Sequence, residues 1–387
     1  MAAAAGLEAS EDHLVHGMGT ALEAPTWPAI TADEADAVLA KFPAAGRMTG
    51  LNWHSPRPFS AATLVQTTGG AFLLKRHHRR VRTCAGLAEE HAFIAHLAGA
   101  GVSVPEILTT AQDKGAVAVG AWVYELHRQA PGADLYRDRL SWTPFLSHDH
   151  VRAAGVALAR LHVAAGSFAA PARKSQPLVA SFTILPAADP LAAADTYVAA
   201  HPALAAFLAT RPWRRDLARL FAALGDGLPP ILAEQPPLWT HNDWHPSNLL
   251  WAEDGSVATV FDFGLADRSC AVHDIATAIE RTAVRWLDLG READERIADP
   301  DAALALLAGY ASVVPLSRAD IVAIVHLLPL VHIEFALSEI DYFTDVVADP
   351  VSSTMAWDEY LVGHAEWFLS RAGQDFLARI DGMGRSG

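Results

Sequence analysis

Between Trp239 and Trp251 the chain reads WTHNDWHPSNLLW, and fourteen residues beyond Asn248 comes Asp262, in VFDFG. The 387 residues contain only three asparagines, Asn52, Asn242 and Asn248, so two inside one short loop mark local selection rather than composition. Reduced to its polar positions the stretch is HxDxxxxN: His241, Asp243 and Asn248. PPLWTH and SVATVFDFG read as short β segments bounding the loop, and NLLW supplies apolar residues that pin it to a core. Two carboxylates and a carboxamide therefore stand at the ends of neighbouring strands, able to face one cleft. Phosphoryl transfer from a nucleotide needs such a set: one carboxylate orients the attacking hydroxyl and accepts its proton, while hard oxygen ligands hold magnesium against the phosphates. Asp243 fits the first role, and Asn248 and Asp262 the second.

A chain of this length exceeds one ordinary core, so two or three structural units are expected. Apolar residues at 51% and charged ones at 19% argue for a well-buried interior. A net charge of −15 disfavours nucleic acid, whose binding depends on neutralising phosphates. Cys84 and Cys270 stand far apart, which implies neither a disulfide framework nor a zinc knuckle and suits a reducing cytoplasm. The start, MAAAAGLEASEDHL, lacks the pattern of a secretory signal. The apolar run Ile321 to Leu337 is interrupted by His326, Pro329, His332 and Glu334, so it reads as a core helix and not a membrane span.

Along the chain, an acidic, Ala-rich start leads to one helix opened by Thr31 and Asp33. ATLVQT and AFLLK flank Thr68, Gly69 and Gly70 as a hairpin, and a helix follows over GLAEEHAFIAHLAGAG. EILTTA and AVAVGAWVYEL read as two further strands around Asp113, Lys114 and Gly115. The basic run Lys75 to Arg82 reads as a solvated connection. After Pro131 and Gly132 the periodicity is helical, apart from a proline-rich loop over residues 170–190.

The order and spacing of His241, Asp243, Asn248 and Asp262 resemble the protein kinase-like superfamily and, within it, the aminoglycoside phosphotransferase and choline kinase group. The resemblance implies a bilobal α+β fold: an N-terminal tail and helix over residues 1–45, a small lobe of antiparallel sheet plus one helix over residues 46–126, and a larger, mostly helical lobe over residues 127–387. It implies ATP and Mg2+ as cofactors. Lys75, closing AFLLK, would contact the nucleotide phosphates, with Glu90 on the next helix holding it. Ser60 would offer its hydroxyl and amide to phosphate from a loop without glycine. Backbone groups of Tyr124, Glu125 and Leu126 would read the adenine edge at the hinge. His241 and Asp274 would support the catalytic loop, and His162 would be a buried structural histidine. The family usually has Gly between the His and the Asp of this motif; here Asn242 stands there.

The acceptor implied is a small molecule with a hydroxyl and an amine, such as an aminoglycoside, amino sugar, amino alcohol or homoserine-like compound. Candidate acids for the amine are Glu280, Glu334, Glu339 and Asp341. Glu334, Ser338 and Asp341 follow the i, i+4, i+7 rule on one helical face. No APE-type segment follows FDFG, which disfavours a protein substrate. A nucleotide-binding pseudokinase is the non-enzymatic alternative, and the intact quartet Lys75, Asp243, Asn248 and Asp262 speaks against it.

Overall fold

The β-favouring runs of the first third pair into a single antiparallel sheet: β1 (Met48–His54), β2 (Ala61–Thr67), β3 (Gly70–His78), β4 (Ala116–Val119) and β5 (Trp122–Arg128), in the order β1-β2-β3-β5-β4. The structure, a computed structural model, describes residues 13–174 and 176–384. Residues 1–12, on which most of the expected tail falls, lie outside them. By contacts the chain divides into one unit of Met1–His91 and Pro105–Ala130 and another of Ala92–Val104 and Pro131–Gly387. The expected boundary after residue 126 falls inside β5, and the units part at Ala130 and Pro131 instead.

In the first unit, alternation along the strands sorts side chains onto two faces. Phe72, Leu74, Tyr124 and Leu126 share a core with Ala35, Val38 and Leu39 of α1 (Ala32–Leu39). Thr31 caps α1 by accepting from Glu34 N at 3.2 Å. Glu34 in turn accepts from Arg76 Nη1 and from the Tyr124 hydroxyl, each at 2.7 Å. The segment around α1 is therefore part of the sheet's core rather than a separate tail. The opposite face carries Lys75, His77, Glu125 and His127, beside Val123, which packs on Leu87 of α2 (Cys84–Gly99). Lys75, Arg76 and His77 are 7%, 4% and 7% exposed, so the start of the basic run is buried strand and not a solvated connection. Acids on both faces of the sheet make that burial tolerable. EILTTA contributes only an isolated bridge from Ile107 to His127; AVAVGAWVYEL is itself the hairpin β4–β5, turning at Gly120 with φ +60°.

The second unit contains α3 (His148–Ala165), the antiparallel pairs β6 (Pro237–Thr240) with β9 (Asp267–Cys270) and β7 (Leu249–Trp251) with β8 (Val257–Val260), then α4 (Ala271–Ala283), α5 (Pro300–Ala311), α6 (Arg318–Leu327) and α7 (Ile333–Asp341). Helices α3 and α5 touch at two glycines. A Cβ at Gly155 would stand 2.2 Å from Leu306 O, and one at Gly309 would stand 2.1 Å from Arg152 O, so only glycine permits the approach. The apolar run from Ile321 to Leu337 is divided between α6 and α7, with the break around Pro329. Among the described residues no single helix is long and apolar enough to cross a membrane.

Candidate active site

The loop after β6 is built on one buried carboxylate. Asp274, in the first turn of α4 and 0% exposed, accepts from His241 N (2.8 Å) and Asn242 N (2.8 Å) and from His162 Nε2 (3.0 Å). The Tyr310 hydroxyl stands 2.9 Å from His162 Nδ1 and completes the chain of contacts. Burial alone raises a carboxyl pKa, but the hydrogen bond and charge of His162, then the backbone hydrogen bond from His241 N, hold Asp274 below the usual range. Asn242 has φ +60°, the left-handed region that glycine occupies freely. Its side chain is what makes Asn serve there: Oδ1 accepts from Thr240 Oγ1 (2.8 Å), Ser269 Oγ (3.3 Å) and His273 Nδ1 (3.2 Å), and Nδ2 donates to Leu265 O (3.3 Å). Burial pushes His273 down to about 4, so at neutral pH it presents a neutral ring. Asn242→Gly is expected to destabilise the protein by about 1–3 kcal/mol despite relieving the backbone, because buried donors lose their acceptor. Urea unfolding checks this, and a stabilised glycine variant would contradict it.

His241 links this loop to the next hairpin. Its Nδ1 accepts from Asp243 N (3.2 Å), so Nε2 carries the proton it donates to Phe261 O (3.0 Å). Phe261 N donates to Asn248 O (3.1 Å), continuing the β7–β8 ladder in which Leu249 faces Val260. Asn248 and Asp262 therefore sit at the same end of one hairpin, and the peptide leading into Asp262 is fixed from both sides. Asp262 has φ +60°, a conformation uncommon outside glycine. Asn248 turns Nδ2 toward Asp243, donating to its O (2.9 Å) and its Oδ2 (3.0 Å), which leaves the amide Oδ1 as a hard oxygen donor. With the Asp262 carboxylate this is a donor set that fits Mg2+.

Asp243 meets a partner that the sequence reading missed. Arg281 Nη1 donates to Asp243 Oδ1, and His245 Nε2 stands 3.5 Å from the same oxygen. Burial would raise the Asp243 carboxyl, yet Arg281 above all, then His245, hold it well below the usual carboxylate range, so it is ionised at any working pH. Asp274 and Arg281 are seven residues apart, two turns of α4, and that spacing was the available signal. Around Arg281 lie the rings of Phe335 (5.1 Å) and Trp142 (5.7 Å), and Trp142 has φ +65°, a genuine outlier for a bulky residue. Tyr360, whose ring is 5.0 Å from Trp142, lies in a widened π-helical turn over Ala356–Gly363 and feels Glu280, Arg281, Glu339 and Asp243 together.

The acids expected to hold an amine separate here. Glu334 accepts from Ser181 Oγ (2.7 Å), Thr183 N (2.8 Å), Thr183 Oγ1 (2.7 Å) and Ile184 N (2.9 Å), so it pins the proline-rich loop and is corrected to a structural role. Ser338 accepts from Leu178 N (2.9 Å), and Asp341 acts with Glu334 on Tyr197, raising its hydroxyl pKa after burial. The predicted 334, 338, 341 face exists, but it meets that loop and Tyr197. Glu280 Oε1 accepts from His364 Nδ1 (2.8 Å), and His364 stacks 3.8 Å from Trp286. Glu339 is 1% exposed, its Oε2 has no hydrogen-bond partner, and burial pushes it up to about 8 against the pull of Arg281.

In the first unit Lys75 lies opposite Glu125 across β3 and β5, with Nζ 3.6 Å from Glu125 Oε1. The Glu125 side chain, overlooked by the sequence reading, is thus a counter-ion of the lysine. The hinge assignment is corrected: Tyr124 pairs with Arg76 and Val117, Glu125 with Lys75 and Ala116, and Leu126 with Leu74, while Leu126 O also accepts from Leu108 N (2.8 Å). These backbones belong to the sheet, and the strand ends only at Arg128. Glu90 is 1% exposed on α2 and adds its charge to that of Glu125 in raising the pKa of His91 against burial. Ser60 ends the β1–β2 connection, half-buried.

The sequence profile of the phosphotransferase enzyme family matches residues 59–316. A homoserine kinase from Phenylobacterium zucineum (strain HLK1) is 31% identical over 265 residues, covering 66% of this chain and 69% of the relative. Among solved structures, the microcompartment-associated aminopropanol kinase superposes with a TM-score of 0.55 at 18% identity, over 91% of this chain and 99% of that one. An amicoumacin kinase, solved with AMP-PNP, Ca2+ and its ligand, gives 0.54 at 15% identity, over 91% and 96%. At such identities the structural likeness establishes the fold, which is the expected α+β, kinase-like one.

Proposed function

This chain belongs to the phosphotransferase enzyme family, and from that premise we propose that it transfers the γ-phosphoryl group of ATP to a hydroxyl on a small acceptor that also carries an amine. It is a phosphotransferase with a hydroxyl acceptor; the amine is our reading, and Glu339 carries it. A buried carboxyl with an unpartnered oxygen, among the aromatic residues near Arg281, is a ready partner for an ammonium, which supplies both the missing donor and the charge that ionises the acid. Homoserine and aminopropanol, named in the relatives, each pair an amine with a hydroxyl.

In this reading the Asp243 carboxylate orients the acceptor hydroxyl and takes its proton as the oxygen–phosphorus bond forms and the bond to ADP breaks. Asn248 Oδ1 and Asp262 would hold Mg2+, which when bound neutralises charge on the phosphates. Arg281 keeps Asp243 ionised and its carboxylate turned.

A panel of amino alcohols and amino sugars, each beside its deaminated analogue, tests this through acceptor-stimulated ADP release. Equal turnover of an acceptor and its deaminated twin would sink the amine assignment. Glu339→Gln is expected to raise KM for the amine acceptor roughly 10–100-fold, the loss of one charged hydrogen bond, with a smaller effect on kcat. Because Glu339 sits up near 8 without a partner, amine binding at pH 7 should also release a proton. Calorimetry in buffers of different ionisation enthalpy reads that release, and a buffer-independent heat contradicts it.

A further inference from the structure

Residues two apart on a strand share a face, and residues opposite one another across an antiparallel pair do so too. Lys75 and His77 of β3 and Glu125 and His127 of β5 therefore project together, and His91 reaches them from α2. Their common centre is the Glu125 carboxylate, 0% exposed. His77 Nε2 is 2.9 Å from Oε1, while His91 Nε2 (2.7 Å) and His127 Nε2 (2.9 Å) both approach Oε2. One ligating atom from each of His91, Glu125 and His127 lies within 4.8 Å of the others. Donors about 2.1 Å from a shared tetrahedral ion are about 3.4 Å apart, so the three atoms already stand within about 1.4 Å of coordination spacing.

A buried carboxylate is satisfied by two or three donors, and Lys75 with one histidine already comes close to that. Three imidazoles in addition to an ammonium exceed what pairing requires. Inward positions of a sheet core ordinarily carry Val, Ile or Leu, and two histidines there, met by a third from α2, weaken packing for no gain in the phosphoryl chemistry. Imidazole nitrogens with a carboxylate are the donor set of zinc, whereas Mg2+ takes oxygens in an octahedral shell. We propose that His91, His127 and Glu125, with a water completing the shell, form a binding site for a zinc-like divalent transition-metal ion in the first unit, distinct in its donor chemistry from the Asn248 and Asp262 pair proposed for magnesium. On binding, each imidazole offers its Nε2 lone pair: a neutral ring moves its proton to Nδ1, and a protonated ring releases one to solvent. The Lys75 ammonium, 3.6 Å from Glu125 Oε1, opposes the ion's charge and keeps the affinity below that of a closed structural zinc site.

The test uses the full chain, stripped with a chelator and held in excess Mg2+ so that oxygen-only sites are filled. Zn2+ is titrated by calorimetry and Co2+ by visible absorption, which reports tetrahedral coordination. One equivalent of metal is expected to bind, weakening roughly 10–100-fold in His127→Gln and at least as far in the His91→Gln, His127→Gln double variant. Gly115→Ala supplies a variant that removes no ligand. Its Cβ would stand 2.4 Å from His91 Nδ1, so it should displace the ring and weaken the metal as well. Thermal melts identify any variant that fails to fold, and metal affinities are compared among the folded ones. With 18 histidines in the chain some background binding is expected everywhere. A wild-type affinity no tighter than that of the folded variants, or a Co2+ spectrum without tetrahedral bands, overturns the proposal.

Discussion

Asp243→Asn is expected to lower kcat by roughly 10²–10⁴-fold, the range for losing a positioned proton acceptor, while the KM for ATP changes little. The asparagine keeps the shape of the side chain but reverses half of its hydrogen bonding. In the wild type both carboxylate oxygens accept, Oδ1 from Arg281 and Oδ2 from Asn248 Nδ2 at 3.0 Å. An amide must turn its NH2 toward one of these donors and cannot accept the acceptor's proton. A carboxylate held well below its usual range by Arg281 is a weak base, so in the proposed reaction its main service would be to aim the hydroxyl, with the proton following late in a loose transition state. The sign for pH follows: the active, ionised form is present above its folded-state pKa, so Asp243 produces no acid limb between pH 5 and 7. Arg281→Met removes the largest opposing charge, leaves burial to raise the carboxyl, and should move an acid limb upward into the measurable range. Steady-state rates against pH decide it; a full-rate Asp243→Asn enzyme ends the assignment.

The motif residues were legible because they are close in sequence: one loop and one hairpin bring His241, Asp243, Asn248 and Asp262 together, and local spacing suffices to find them. What the sequence hid depends on pairing between distant elements. Glu125 was read for its backbone because nothing local shows that β5 lies between β3 and β4, where the ladder takes the backbone and the side chain turns toward Lys75. The burial of Arg76 depends on Glu34, 42 residues earlier. Glu334, Ser338 and Asp341 of α7 obeyed the helical rule, but the rule states which residues share a face and not what covers it. Glu334 and Ser338 faced a proline-rich loop that needed its amides satisfied, whereas Glu339 on another face was left without a partner for Oε2. Asn242 shows the opposite case. Its departure from the family's glycine puts a side chain on a left-handed backbone, and its four side-chain hydrogen bonds explain how the loop accommodates it.

Asp274→Ala is expected to cost about 3–5 kcal/mol of stability, the penalty for removing one member of a buried, hydrogen-bonded set. Three donors converge on this carboxylate: two successive backbone amides of the loop after β6 and the His162 ring. Without it, two N–H groups and an imidazole are left buried and unsatisfied, and the left-handed turn at Asn242 loses the contact that fixes its nitrogen. Asp274→Asn separates charge from shape, since its amide can accept from one backbone N–H but presents its own NH2 to another donor. The pH dependence gives the sharper test. The folded-state pKa of Asp274 is depressed, so its contribution is fully present above the unfolded carboxylate value near pH 4 and is lost as pH falls through the folded value. The gap in unfolding free energy between wild type and Asp274→Asn should therefore be constant from pH 8 down to about pH 5 and narrow below it. Urea titrations across that range measure the gap directly. A difference under about 1 kcal/mol at neutral pH, or one that stays unchanged into acid, would show that the loop is held by its flanking strands and not by this carboxylate.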